Sequence, residues 1–183
     1  MQIEGLRYWQ GFLAPDEELE LLGSFEGLLW EAVRMRGREA RRQIVCFGWR
    51  YLTTSRGILP GPPVPGFLLP LRARAALRAG VDPEDLGQVI LTRYPPLAGI
   101  GWHTDSAVFG DTVITISLAS PATMQFRQPG RPGLARLELA PGSILVMQGE
   151  ARRCWLHRIA PVKQLRFSMS LRNLDLVDGP ERA

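Results

Sequence analysis

Apolar residues recur at helical spacing in the first half of the chain and alternate with polar ones from residue 88 onward. Pro15-Asp16-Glu17-Glu18 predicts a helix start, because proline suits the first turn and acids suit the positive end of the helix dipole. Leu19, Leu22, Phe25, Leu28 and Leu29 give that segment an apolar stripe. A second helix is predicted over 67–78, stopping at Gly80, a residue type that accepts a left-handed cap. The stretch 57–66, GILPGPPVPG, is too rich in proline for a helix or a central strand and reads as a loop inside the domain. Strands are predicted over 88–94, 112–118, 122–127, 134–139, 143–148, 154–159 and 165–172, most of them separated by turn residues. Many short, closely spaced strands predict an α+β, mainly β chain: a sandwich or jelly roll with helices packed outside.

The 183 residues suit one domain. With 45% hydrophobic and 22% charged residues and mean hydropathy of −0.03, the composition is ordinary for a globular chain. No apolar run approaches the roughly 20 residues of a membrane span, and the N-terminus has no signal-peptide pattern. Two cysteines, Cys46 and Cys154, make no disulfide framework, so a cytoplasmic location is expected. The net charge of +4 is carried almost wholly by arginine, since Lys163 is the sole lysine. Arg34, Arg36, Arg38, Arg41 and Arg42 crowd one stretch, which suits an anionic partner such as nucleic acid, or reflects a compositional bias without a partner.

Both histidines of the chain fall in one ligand pattern: His103-Thr104-Asp105, then His157. On an extended segment residues two apart point to one face, so His103 and Asp105 can share an ion while His157 arrives from another strand. Two imidazoles and a carboxylate with open positions form the facial triad of non-haem Fe(II) oxygenases. Zinc accepts the same ligands.

Arg166, Ser168, Ser170 and Arg172 alternate with Phe167, Met169 and Leu171, placing the polar set on one face of a strand. The six-residue step spans about 20 Å at roughly 3.3 Å per residue. Two guanidinium arms reaching inward leave a gap suited to a five-carbon diacid, each fork holding one carboxylate.

Arg93-Tyr94-Pro95-Pro96, His103-Thr104-Asp105, Ser117-Leu118, Gln125-Phe126, Gly149-Glu150-Ala151-Arg152, His157 and Arg166 to Arg172 together resemble the AlkB family of Fe(II)/2-oxoglutarate dioxygenases. The resemblance covers residues 88–172 in order and spacing. It implies a double-stranded β-helix over 88–173, with helices and a substrate-recognition lid in 1–87. Fe(II) would be held by His103, Asp105 and His157. Arg166, helped by Tyr94, would bind the distal carboxylate of 2-oxoglutarate, and Arg172 would lie near Asp105. Thr92 and Ser168 stand where AlkB has Asn and are further candidate cosubstrate contacts. Ala107 replaces an acidic residue that AlkB carries two positions after the metal-binding Asp.

The implied reaction uses O2 and 2-oxoglutarate to hydroxylate an N-methyl carbon of a base in DNA or RNA, single-stranded or flipped, with release of formaldehyde. The same chemistry on a protein side chain or on tRNA, and a nucleic-acid-binding protein with a structural metal, are the alternatives. Trp49, flanked by Gly48, Arg50 and Tyr51 and downstream of the basic stretch, is expected to stack on the target base. Tyr51 and Arg42 are the accompanying substrate candidates. Val45, Phe47 and Trp49 also alternate as a core face would.

Overall fold

The computed structural model describes residues 2–35, 37–52 and 57–174. Arg36 of the basic cluster and the last part of the expected 1–183 domain, residues 175–183, lie outside them. In chain order the elements are β1 (Leu6–Trp9), α1 (Pro15–Gly23), β2 (Glu31–Met35), β3 (Arg38–Leu52), β4 (Gly57–Pro60), α2 (Leu69–Ala79), β5 (Gln88–Tyr94), β6 (Ile100–His103), β7 (Phe109–Leu118), β8 (Ala122–Arg127), β9 (Ala135–Leu139), β10 (Ser143–Met147), α3 (Gly149–Arg153), β11 (Leu156–Ile159) and β12 (Arg166–Leu174).

The strands form two antiparallel sheets. The larger has the order β1-β10-β7-β12-β5-β3-β2, with β4 pairing the far end of β3; the smaller has the order β6-β11-β8-β9. The larger sheet is covered on both faces, which explains why eight of the ten residues of β7 are buried. One set of alternate residues, including Leu91, Ile114, Ile116, Met169 and Leu171, packs with Leu71, Ala75 and Ala76 of α2. The other set, including Val113, Leu145 and Met147, meets Met124, Phe126 and Ile159 of the smaller sheet. The polar face of β12 therefore points between the sheets, where Arg166, Ser168, Ser170 and Arg172 line a cavity with Met124, Met147 and Ile159.

Helix α2 ends as its sequence predicts, on Gly80 at φ 74°. Helix α1 starts at Pro15 but stops at Gly23. Phe25 and Leu28 of the expected stripe thus lie beyond it, packed in the core, while Leu19 and Leu29 are exposed and Leu21 is the buried position. The first 87 residues are not only helices and lid. They also supply β1 and β3 to the larger sheet, and residues 57–60 of the expected loop pair with β3 as an edge strand.

Candidate active site

Strands β6 and β11 are neighbours, and their register sets His157 directly opposite His103. Directly opposed side chains share a face, so both imidazoles project between the sheets, their ring centroids 4.3 Å apart. Asp105 follows two residues after His103, and its Oδ2 lies 3.6 Å from His157 Nε2. His103 Nδ1 bonds the Gly101 carbonyl at 2.9 Å, which assigns the proton to Nδ1 and leaves the Nε2 lone pair for a ligand. No three His, Cys, Asp or Glu side chains among the described residues are gathered tightly enough to enclose an ion. The triad is looser than that, and its members would have to draw together around a metal.

Protonation states suit a cation. Burial opposes ionisation of Asp105, but the charges of Arg172, His157, His103 and Arg152 outweigh it and hold the carboxyl at about 2. Burial and then the neighbouring His103 push His157 down to about 4, so it is neutral at pH 7. Metal ligands must be deprotonated, and these are. Asp105 Oδ2 and His157 Nδ1 are buried without a hydrogen-bond partner. An orphaned carboxylate oxygen facing an imidazole nitrogen fits a bound divalent ion, because this buried acceptor otherwise has no partner.

A narrow cavity of about 50 Å³ runs from this triad along β12, lined by Tyr94, Ser168, Ser170 and Arg166 among others. Arg166 is fully buried at its far end. It stacks on the Tyr94 ring at 4.8 Å and donates from Nη2 to Ser117 Oγ at 3.0 Å, while Nε and Nη1 have no partner. Burial lowers its pKa, partly offset by Tyr94. A dry guanidinium with two idle donors fits a carboxylate ligand. Arg172, at the other end, donates to Asp105 Oδ1 at 2.9 Å and to Gln88 Oε1 at 3.0 Å. The two arginines thus do unlike things: one waits for an anion, the other orients the metal-ligand carboxylate.

A second cavity, of about 760 Å³, lies on the other side of Asp105, within the range of small-ligand sites. Its wall is formed by Tyr51, the segment from Thr104 to Gly110, and Arg152 and Arg153. Tyr51 and Phe109 form an aromatic pair with centroids 5.7 Å apart. Asp105 is the residue common to both cavities.

Sequence-predicted residues divide accordingly. His103, Asp105, His157, Tyr94, Arg166, Ser168 and Arg172 come together. Thr92 is buried opposite Ser168 in the β5–β12 register but is not on the cavity wall. Arg42 turns to the Gly99 carbonyl (3.5 Å) rather than into either cavity. Trp49, the expected stacking residue, is not on the wall of the wide cavity. Gly48 adopts φ 74° and packs against the Gly87 carbonyl so closely that a Cβ there would meet it at 2.0 Å. At this point β3 leaves β5 and pairs with β4 instead. The bend lays the Trp49 indole over Gly87, and the β3 aromatic that reaches the wide cavity is Tyr51.

Arg152 is the functional residue that sequence reading quoted without a role. It is 4% exposed and donates to the carbonyls of Asp105 (3.3 Å), Ser106 (2.8 Å) and Phe109 (3.0 Å). It therefore ties down the segment that carries a candidate ligand and walls the wide cavity. Burial lowers its pKa, against which Asp105 acts.

The sequence profile of the 2OG-Fe(II) oxygenase superfamily matches residues 5–175. The chain belongs to this superfamily. Its cofactors, Fe(II) and 2-oxoglutarate with O2, are those for which the orphaned donors and acceptors above are suited. Relatives are AlkB-type proteins. The tRNA (carboxymethyluridine(34)-5-O)-methyltransferase alkbh8 of Xenopus tropicalis is 27% identical over 87% of this chain and 26% of its own length. The alkylated DNA repair protein ALKBH8 homolog of Arabidopsis thaliana is 27% identical over 87% of this chain and 51% of its own. The chain thus spans about a quarter to a half of these relatives. The structure of OsALKBH1 superposes with a TM-score of 0.73 at 14% identity, covering 94% of this chain and 98% of that one, and shows the shared jelly-roll fold.

Proposed function

We propose that this oxygenase hydroxylates a carbon substituent on a nucleobase of DNA or RNA, and demethylates oxidatively when that carbon is an N-methyl group. The observation that carries the reading is the meeting of two unlike cavities at Asp105: a narrow one ending in Arg166 and a wide one walled by Tyr51, Phe109 and Arg152. The first suits a slender dicarboxylate, the second a planar base with its anionic backbone outside. The names of the two relatives, one a tRNA enzyme and one a DNA repair protein, support a nucleic-acid substrate and favour a modified tRNA uridine as the second reading.

Bound at His103, Asp105 and His157, Fe(II) would supply the activation of O2 coupled to oxidation of 2-oxoglutarate. The chain's own residues do the rest. Arg166 neutralises and anchors the distal carboxylate, and its burial makes each charge-assisted bond stronger than in water. Arg172 holds the Asp105 carboxylate in one orientation, as outer-shell partners of metal ligands do. Arg152 fixes the segment between the two cavities, so that a base in the wide one is held against the triad. Tyr51 and Phe109 provide apolar faces for a base removed from its stack. Ala107, on that wall, leaves space and no negative charge where AlkB has an acid.

The test is mass spectrometry of N-methylated DNA and RNA oligonucleotides and of unmodified and uridine-modified tRNA, incubated with Fe(II), ascorbate and 2-oxoglutarate. Loss of 14 mass units per methyl removed, or gain of 16 on a uridine side chain, separates the two readings by roughly the masses of CH2 and O. Succinate release stimulated by methylated peptides and by none of the nucleic acids would overturn both.

A further inference from the structure

The outer face of the smaller sheet carries a group of cations built round one indole. His103 and His157 face inward, so the alternation turns Trp102 of β6 and Leu156 and Arg158 of β11 outward. On β8, Arg127 lies opposite Leu156 and Gln125 opposite Arg158; on β9, Arg136 lies opposite Gln125. Arg127 places its guanidinium carbon 4.4 Å from the Trp102 ring centroid and Arg158 places its own at 4.7 Å. Arg158 Nε donates to Gln125 Oε1 at 2.5 Å, which fixes that fork by its inner nitrogen.

A cation–π contact holds a guanidinium in place without cancelling its charge or using its in-plane donors. Two like charges gathered by one ring are therefore preorganised and still positive. No carboxylate among the described residues forms an ion pair with Arg127, Arg136 or Arg158. The nearby acid, Glu138, is engaged by the Thr123 hydroxyl. Elsewhere on the molecule Arg50, Arg72, Arg74 and Arg153 have acidic partners. The one comparable pair among the described residues, Arg7 and Arg78 over Trp9, lies further from its ring, at 5.7 Å each, with Arg7 also bonded to the Ala79 carbonyl and to Gln148.

Strand β6 is one of the two edges of its sheet. Two residues after Trp102 the chain reaches Thr104, on the wall of the wide cavity. The arginine group therefore borders the wide cavity through Trp102 and Thr104, along one path that the backbone flanking a base in that cavity can take.

We propose that Trp102, Arg127 and Arg158 form a clamp for the phosphodiesters that flank the target base in a single-stranded substrate. The inference rests on the nucleic-acid reading above and names where the backbone goes. Planar guanidinium forks match phosphate oxygens two at a time, which is the task for which preorganised arginines are suited.

The experiment is fluorescence anisotropy of a labelled single-stranded oligonucleotide with the full chain, titrated over a range of NaCl concentrations. Each phosphate contact on a single strand contributes about 0.7 to the slope of log affinity against log salt. Arg127→Gln, at an exposed position not adjacent to a metal ligand, should lower that slope by about 0.7, and Arg127→Gln with Arg158→Gln by about 1.4. Trp102→Leu keeps both charges but frees them, and should weaken binding several-fold at low salt with a near-wild-type slope. Wild-type slopes in both arginine variants would overturn the clamp while leaving the nucleic-acid reading intact. Failure of the wild type to bind or modify any oligonucleotide would overturn both. Displacement of the oligonucleotide by polyglutamate at equal charge concentration would assign the face to an acidic protein partner instead and also overturn the clamp.

Discussion

Arg166 is where the fold and the cosubstrate make opposite demands, and replacing it with methionine separates them. Its guanidinium is fully buried, has one hydrogen bond at 3.0 Å and one aromatic face, and leaves two nitrogens idle. No carboxylate of the described residues pairs with it. Each idle buried donor carries a desolvation cost of about 1–3 kcal/mol. A methionine of similar length would remove those costs together with the charge, and such replacements of buried charge are often neutral or stabilising by about 1–4 kcal/mol. Arg166→Met should therefore melt no lower than the wild type when neither cosubstrate nor metal is added. Ligand binding acts the other way. At 2-oxoglutarate concentrations near a hundred times Kd, the wild type should gain about 2.7 kcal/mol, a rise of roughly 5–10 °C at about 2–4 °C per kcal/mol for a chain of this size. The variant should show no such rise. Anaerobic thermal unfolding with Fe(II), with and without 2-oxoglutarate, measures both. A variant that loses about 3–5 kcal/mol on its own, or that keeps the cosubstrate-dependent rise, would refute the reasoning.

Acid should weaken the metal-free fold in two stages. Between pH 6.5 and about 4 an unfolded chain protonates His157 while the folded one does not, so stability falls as pH falls. From pH 7 to 5 the loss should approach about 2 kcal/mol at 1.36 kcal/mol per pH unit, and His157→Gln should remove it from urea titrations at the two pH values. Asp105, held at about 2, adds a loss of the same sense between pH 3.8 and 2. Trp49→Ala should lower stability by at most about 3–5 kcal/mol, the full-burial figure, without changing oligonucleotide KM per folded molecule, whereas Tyr51→Ala should raise that KM with little change in melting temperature. The reverse pattern would restore Trp49 as the base platform. Arg152→Lys puts a single nitrogen where two guanidinium nitrogens reach three carbonyls; it should cost about 1–3 kcal/mol and weaken Co(II) binding, read from the metal's visible absorbance. Unchanged Co(II) affinity would show that the segment holds its shape without the arginine.

The β half of the fold was legible because its strands are buried on at least one face, so that 88–94 and 122–127 agree with β5 and β8 to the residue. Strand β3 was hidden by its own charges: Arg38, Glu39, Arg41 and Arg42 lie on a strand that is mostly half-exposed, where alternation carries no apolar signal. Strand β6 was hidden by Gly101, and β1 by its length of four residues. The seven residues of the triad and narrow cavity could be read because metal and carboxylate chemistry restricts residue types and spacing. The wide cavity imposes no such restriction. Nothing in Arg152-Arg153 tells which arginine turns inward; only the five-residue turn of α3 decides that. Trp49 and Tyr51 share the same sequence signal, and a left-handed glycine between Phe47 and Trp49 reassigns them.

Strand β1 pairs with β10 from Leu6 to Trp9, and the residues just before it reach further. Gly5 accepts from Gln148 N at 2.9 Å, and Glu4 accepts from Ala151 N at 2.9 Å, beside Arg152. Residues separated by more than a hundred positions in sequence thus secure the turn whose arginine holds Asp105. During synthesis the first strand has no partner until the second half of the chain has emerged, and such distant pairings form slowly. The nascent chain is accordingly expected to gain its iron only after β10 and His157 have emerged, and a ribosome-stalled fragment ending before residue 143 should expose β1 to proteases that the full 183-residue chain resists.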